Sequence, residues 1–180
     1  MDDLGRLSPE QFKAAEKLPL IIILDNIRSM HNVGSVFRTA DAFLCSELML
    51  CGYTPRPPHR DIHKTALGAT ETVDWSYHTQ TLTAVKAVRD KGYAIYSVEQ
   101  AAGSISTEKM HSLDAPGLNK GLALVLGNEV QGVEQSVIDV CDGCLEIPQY
   151  GTKHSLNISV AAGIVIWEAS KLLRNKGRHA

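Results

Sequence analysis

Leu20-Ile-Ile-Ile-Leu24 is an unbroken apolar run of strand length. A strand with both faces apolar has no side to give to water, so it belongs inside a mostly parallel sheet covered above and below. The same kind of run returns at Leu48-Met-Leu-Cys51, Tyr93-Ala-Ile-Tyr-Ser-Val98 and Leu122-Ala-Leu-Val-Leu126, and more weakly at Gly143-Cys-Leu-Glu-Ile147. Between the runs lie helical patterns over 33–44, 82–91, 134–140 and 155–174. Strand and helix alternate throughout, which predicts an α/β fold with a mostly parallel sheet. A short helix over 9–17, with Ser8 as cap and Pro9 at its first position, precedes the first strand. Neither a repeat nor a linker divides the chain, so residues 1–180 are expected to form one domain with a basic tail over 171–180. The segment 52–74, with Pro55, Pro57 and Pro58, is the longest irregular stretch and a functional-loop candidate.

A chain of 180 residues buries about 70% of the surface of its unfolded form and needs no staple. Eighteen basic against twenty acidic residues leave a net charge of −2, which argues against holding nucleic acid by charge over the whole surface. Local basic patches remain: Arg56, Arg60 and Lys64 with His59 and His63, and Lys171, Arg174, Lys176 and Arg178 in the tail. Solvated surface charge is the commoner meaning of such runs. The N-terminus lacks a secretory pattern and no stretch approaches the roughly 18 apolar residues of a membrane span, so a cytoplasmic protein is expected. Its four cysteines should stay reduced, with Cys45 and Cys51 in or beside a buried strand. Cys141-Asp-Gly-Cys144 has no second ligand pair at a zinc spacing, and the prolines before His59 and His63 disfavour a helix presenting both to a metal; no metal site is expected.

Three segments carry candidate chemistry. In Leu24-Asp-Asn-Ile-Arg-Ser-Met-His-Asn-Val-Gly-Ser-Val-Phe-Arg-Thr-Ala-Asp-Ala42, Asn32 reads as a helix cap, and Val33, Val36, Phe37, Ala40 and Leu44 as the core stripe. Arg38 points away from that stripe and leans back over Gly34, whose missing side chain leaves room beside the guanidinium. An arginine there suits phosphate recognition; a surface ion pair with Asp41 is the plainer reading. Leu126-Gly-Asn-Glu-Val-Gln-Gly-Val133 joins a strand to a helix without the pattern of a P-loop or of a dinucleotide fingerprint. Gly127 and Gly132 allow close backbone approach to a ligand, and Glu129 adds a negative charge where a cationic group could sit. The third segment, from Ile147-Pro148 through Gly151 to Ser155-Leu-Asn-Ile-Ser159, is a loop entering a very apolar helix. Its open N–H groups suit a ligand with acceptor atoms, while the bland reading makes Ser155 only a helix cap.

Together these segments resemble the SpoU family of SPOUT RNA 2′-O-ribose methyltransferases. The family's first motif matches Asn32, Gly34, Arg38 and Ala40, and its second matches Gly127, Glu129 and Gly132. Its third matches Ile147, Pro148, Gly151, Ser155, Leu156, Asn157, Ser159 and Ala161, and Lys64-Thr-Ala-Leu-Gly-Ala69 is also typical. The resemblance implies a doubly wound α/β domain with a C-terminal trefoil knot, the SPOUT α/β knot. It implies S-adenosylmethionine bound in the knot, with Val98, Gly127, Gly132, Ile147 and Leu156 as cofactor-binding residues. Arg38 is then the catalytic residue at the ribose hydroxyl, either as base or by placing a phosphate that helps remove the proton, with the electrostatic role favoured, and Asn32, Glu129, Ser155 and Asn157 stand around the same centre. Glu129 would sit near the sulfonium or pair with Arg38, and the residues alone do not choose. Arg56, Arg60 and Lys64 would bind RNA phosphates.

The resemblance also implies a dimer. Independently, Ile158, Val160, Ala161, Ala162, Ile164, Val165, Ile166 and Trp167 leave almost no polar face on the last helix, so a homodimer through it is expected. Ribosomal-RNA members often carry a separate N-terminal RNA-binding domain that is not seen here, which tilts the expectation to tRNA. The rivals are base-nitrogen methylation at the same knot, a catalytically idle RNA-binding or assembly factor, and an ordinary Rossmann enzyme. The last needs a glycine-rich first turn that Asp25-Asn-Ile-Arg-Ser29 does not offer.

Overall fold

A computed structural model of the chain describes residues 7–153 and 155–177. Its elements are α1 (Pro9–Ala14), β1 (Leu18–Asp25), α2 (Met30–Ala42), β2 (Cys45–Cys51), α3 (Arg60–Ala66), α4 (Ala69–Thr72) and β3 (Trp75–His78), followed by α5 (Thr81–Asp90), β4 (Ala94–Val98) and β5 (Ile105–Ser106). A 3₁₀ turn (Thr107–Ser112) leads to β6 (Leu122–Gly127), α6 (Gln135–Ile138), β7 (Gly143–Glu146) and α7 (Ile158–Gly177). The strands form one seven-stranded sheet in the order β3-β2-β1-β6-β4-β7-β5. Every pairing is parallel. A late strand, β6, thus lies between β1 and β4.

The apolar run of β1 has the structure its composition demands. Leu20, Ile22 and Leu24 face one side and join Val33, Val36 and Phe37 of α2 with Val165, Ile166 and Ala169 of α7. Ile21 and Ile23 face the other side and meet Ala84, Val85 and Val88 of α5 with Val137 of α6. Alternation across a pleat puts the two sets on opposite faces, so both need apolar cover. At the carboxyl end, Asp25 stands in register with Cys51 on one side and Gly127 on the other. The loops after β1, β2 and β6 therefore leave the sheet from one row. Asp25 itself is buried but satisfied: it accepts from the Thr81 hydroxyl at 2.5 Å, the Asn26 amide at 3.0 Å and the Glu134 N–H at 3.4 Å. One carboxylate so anchors the starts of α5 and α6 to the end of β1.

Several expectations shift. The first helix keeps its Ser8 cap, with Gln11 closing the box, but ends at Ala14, where Ala15 turns extended and the Lys17 ammonium donates to the carbonyls of Phe12 and Ala15. The 52–74 segment is not irregular throughout. His59 accepts from the Asp61 N–H at 3.2 Å and caps α3, and α4 follows after a left-handed Leu67. Only Ile62 and Ala66 of α3 are buried, too short an apolar stripe to stand out behind three prolines. β3, β5 and the 3₁₀ turn have no counterpart among the predicted elements.

Cys45 and Cys51 bound β2 and are buried, and burial pushes both thiols up to about 12. No helix among the described residues is long and apolar enough to cross a membrane. In the single chain α7 is not buried all round: Val160 and Trp167 are each 51% exposed, Trp167 packing on Phe43 at 5.8 Å between ring centroids. Arg178 of the basic tail lies outside the described residues.

Candidate active site

The first motif enters on α2, but Asn32 is not its cap. Ser29 takes that place, its hydroxyl accepting from the Asn32 N–H at 3.3 Å. Asn32 falls within the first turn, and its amide is released for another partner. Gly34 is also different from expectation. A Cβ there would stand 2.2 Å from the Thr65 hydroxyl and 2.3 Å from the Ile62 carbonyl, so the vacancy is filled by α3 packing onto α2 rather than by the Arg38 guanidinium. Arg38, one turn on, is exposed. It makes no ion pair within 4 Å among the described residues, and Asp41 instead accepts from the Thr72 hydroxyl at 2.5 Å.

The second motif is a tight loop after β6. Asn128, buried at its start, accepts with its side-chain oxygen from the N–H groups of Val130 and Gln131 at 3.0 and 2.8 Å, and its carbonyl accepts from the Gly132 N–H at 2.9 Å. A Cβ on Gly127 would stand 2.0 Å from the Gly132 carbonyl carbon. Gly132 has φ +67, and its own Cβ would meet the Glu99 carboxylate at 2.3 Å. Both glycines are therefore needed for the loop to close on itself. Glu99, just past β4, accepts from the Val133 N–H at 2.9 Å and holds the far end of that loop. Sequence reading missed Glu99 and Asn128. A glutamate after a strand carries no signal of its own, whereas Asn128 inside the second motif could have been read as a turn former.

The third motif reaches the same place. Asn157, not Ser155, occupies the cap of α7: its side-chain oxygen accepts from the Ser159 N–H at 2.9 Å and the Ser159 hydroxyl at 2.6 Å. That choice fixes the amide, because a backbone N–H can only donate, so the NH₂ of Asn157 must face outward. It donates to the Asn32 side-chain oxygen at 3.2 Å, and the Asn32 NH₂ in turn donates to the Glu129 carboxylate at 2.7 Å. One directional chain, Ser159 to Asn157 to Asn32 to Glu129, joins segments separated by up to 125 positions. Glu129 is thus paired with Asn32, and Arg38 has no part in that pair.

Beside the chain opens a cleft of about 360 Å³ lined by Val98, Glu99, Gln100, Leu126, Gly127, Asn128, Glu129, Gly132, Ile147, Gln149, Ser155, Leu156, Ile158 and Ala161, among others. All of Val98, Gly127, Gly132, Ile147 and Leu156 fall on it, as do Glu129 and Ser155. Asn32 and Asn157 reach it through the amide chain, and Arg38 does not line it. Its size is that of a small-ligand site. The lining combines an apolar wall with two carboxylates, which fits a molecule that carries both an apolar group and a cation.

Arg56, Arg60 and Lys64 lie beyond the end of β2. Arg56 rests 4.0 Å above the Tyr77 ring, and Arg60 and Lys64 both pair with Asp61, at 3.6 and 3.0 Å. Lys64 beside it holds the Asp61 carboxyl below its usual range. Burial, reinforced by the Asp142 charge, pushes the Cys141 thiol up to about 12. Among the described residues no three His, Cys, Asp or Glu side chains gather as a metal site.

Comparison with known proteins agrees with the motifs. A 23S rRNA (guanosine-2′-O-)-methyltransferase of Vibrio cholerae, RlmB, is 31% identical over 156 residues, 87% of this chain and 60% of that protein. This chain spans about three fifths of the length of the curated relatives it matches. A TrmH/SpoU tRNA modifying enzyme of A. aeolicus superposes with a TM-score of 0.78 at 27% identity, over 94% of this chain and 82% of the other. An AdoMet-bound rRNA methyltransferase of Sinorhizobium meliloti superposes with a TM-score of 0.77 at 26% identity, over 93% and 62%. Across residues 19–167 the sequence matches the SpoU rRNA Methylase family, and the chain belongs to that family.

Proposed function

We propose that this chain transfers a methyl group from S-adenosylmethionine to a ribose 2′-hydroxyl of structured RNA. The observation that carries the reading is the amide chain from Asn157 through Asn32 to Glu129 along the edge of the cleft. It brings together polar residues from all three motifs, an arrangement that a scaffold without chemistry has no reason to keep. Bound in the cleft, S-adenosylmethionine would supply an electrophilic methyl on a sulfonium. Val98, Ile147 and Leu156 would hold its apolar part, and Gly127 and Gly132 would bring backbone close to it. Glu129 and Glu99 place negative charge along the same wall.

The remaining work belongs to the chain. Displacement needs the hydroxyl held in line at roughly 3 Å, and most of the rate comes from that alignment. Asn32 and Asn157 have fixed donor directions and orient the ribose, with Ser155 at the cleft wall. Arg38 is exposed and carries no ion pair among the described residues, so its charge is available to RNA. A guanidinium offers only N–H donors and no acceptor; it stabilises the developing alkoxide and anchors the adjacent phosphate as the proton leaves to phosphate or water. Arg56, Arg60 and Lys64 meet the RNA backbone further out. The half-exposed Val160 and Trp167 on α7 support a homodimer through that helix, whose burial would complete the cover of an apolar segment. In this reading the chain acts as one cytoplasmic methyltransferase domain.

The test is incorporation of labelled methyl from S-adenosylmethionine into total tRNA and ribosomal RNA from a strain lacking the protein, with nuclease mapping. Labelling of a ribose supports the reading and names the RNA. Labelling of a base nitrogen, or cofactor binding with no labelled RNA in either fraction, overturns it.

A further inference from the structure

We propose that Tyr53 is a stacking platform for an unpaired nucleobase next to the methylated ribose. This inference rests on the RNA methyltransferase reading above and adds the form of RNA that the site accepts. Tyr53 sits two residues past Cys51, in the row where Cys51, Asp25 and Gly127 end three adjacent strands. Strand spacing puts the Cys51 and Gly127 backbones roughly 10 Å apart. Tyr53 is 51% exposed, yet it is held at both ends. Its backbone N–H donates to the Asn26 side-chain oxygen at 3.2 Å, and its hydroxyl accepts from the Asn128 NH₂ at 3.3 Å. Gly52, with φ +62, turns the chain here, and a Cβ on it would stand 1.9 Å from the same Asn26 oxygen.

The hydroxyl has a structural task, since Asn128 is buried and shapes the cleft loop. A hydroxyl bond does not explain an exposed ring, however, and the surroundings of that ring point to nucleic acid. The Arg28 guanidinium lies 5.8 Å from its centroid. A shallow groove of about 810 Å³ continues from Tyr53 along Arg56, His59, Trp75 and Tyr77. Arg56 stacks at 4.0 Å on Tyr77, whose hydroxyl is pinned to the Gly52 carbonyl at 2.9 Å. Neither Arg28 nor Arg56 has an ion pair within 4 Å among the described residues, in contrast to Arg60 and Lys64. Aromatic faces interleaved with free guanidinium groups suit single-stranded nucleic acid, with π faces for bases and cations for phosphates. A ring already fixed in place loses little freedom on binding. Paired bases in an RNA helix present no free face, so the target nucleotide belongs to a loop or bulge.

The experiment compares wild type, Tyr53→Ala and Tyr53→Phe in methyl transfer to the RNA fraction that wild type labels, with cofactor affinity measured by calorimetry. A uridine nonamer and an abasic ribose-phosphate nonamer serve as competitors. Tyr53→Ala is expected to raise the apparent KM for RNA about tenfold, the effect of losing one base stack, while any change in cofactor affinity from losing the hydroxyl is shared with Tyr53→Phe. Tyr53→Phe, which keeps the ring, should restore the KM to within about threefold of wild type. The uridine nonamer should compete better than the abasic one against wild type, and that difference should disappear in Tyr53→Ala. Unchanged KM in Tyr53→Ala overturns the platform while leaving the enzyme reading intact. Equal losses in both variants together with weakened cofactor binding also overturn it, because the tyrosine would then only prop Asn128. No RNA labelled by wild type overturns the methyltransferase reading and the platform with it.

Discussion

The cleft and the aromatic groove leave the same edge of the sheet but are built on opposite principles. In the cleft, position is set by directional hydrogen bonds: Ser159 orients Asn157, Asn157 orients Asn32, and Asn32 meets Glu129. Changing one donor reverses the sense of the next. In the groove, Tyr53, Arg56, Trp75 and Tyr77 present faces and charge, and neighbouring residue types could substitute with modest loss. A reaction that must align a hydroxyl within a few tenths of an ångström needs the first kind of construction. Holding a flexible strand of varied sequence needs only the second. Tyr53 joins the two, with its hydroxyl on the cleft loop and its ring in the groove.

The sharpest way to break this contrast is at Arg38. Arg38→Ala is expected to lower kcat about 10²- to 10³-fold, the scale for removing a preorganised charge from a transition state, while calorimetric affinity for S-adenosylmethionine stays unchanged. Equal turnover would remove Arg38 from the chemistry. Next comes the amide chain. Asn32→Asp sets a second carboxylate against Glu129, where the native amide donates at 2.7 Å, and leaves the Asn157 NH₂ with an altered partner. Methyl transfer should fall about 10- to 100-fold from misplacement of the ribose. The sign of its pH dependence follows from the charges: two close carboxylates raise one carboxyl pKa, so lowering the pH protonates the pair, relieves the repulsion and recovers part of the rate. A variant that works at the wild-type rate at neutral pH would show that the chain is incidental to catalysis.

The same contrast explains what could be read from residues alone. The sheet was legible because β1 and β6 are apolar on both faces, and only a covered parallel sheet accommodates that. The motif segments were legible because each requires particular residues. Gly127 has no room for a Cβ, and Asn157 needs an oxygen for the helix start and an NH₂ for Asn32. Local reading failed where long-range packing decides. Asn32 looked like a cap because its type suits one, but Ser29 stands at the correct distance from its N–H. Gly34 looked like space for Arg38, and only the return of α3, nearly thirty residues later, shows what fills it. The groove was invisible because Trp75 and Tyr77 lie on a four-residue edge strand, and their meeting with Arg56 depends on the turn at Gly52.

The smallest expected effects lie among the basic residues of that groove. Raising salt should weaken RNA binding steeply if phosphate contacts carry much of the affinity. Arg56 stacks on Tyr77 without a carboxylate partner among the described residues, so Arg56→Ala should weaken RNA binding about three- to tenfold and reduce the salt slope by about one. Lys64 already faces Asp61 at 3.0 Å, so part of its field is spent locally, and Lys64→Ala should cost about twofold or less. Asp61→Ala separates these explanations. If Asp61 restrains Lys64 and Arg60, removing its charge should tighten RNA binding at low salt, and the gain should shrink as salt screens the released cations. A loss of affinity in Asp61→Ala would instead show that the carboxylate positions the two cations for phosphate, and the distinction between free Arg56 and restrained Lys64 would collapse.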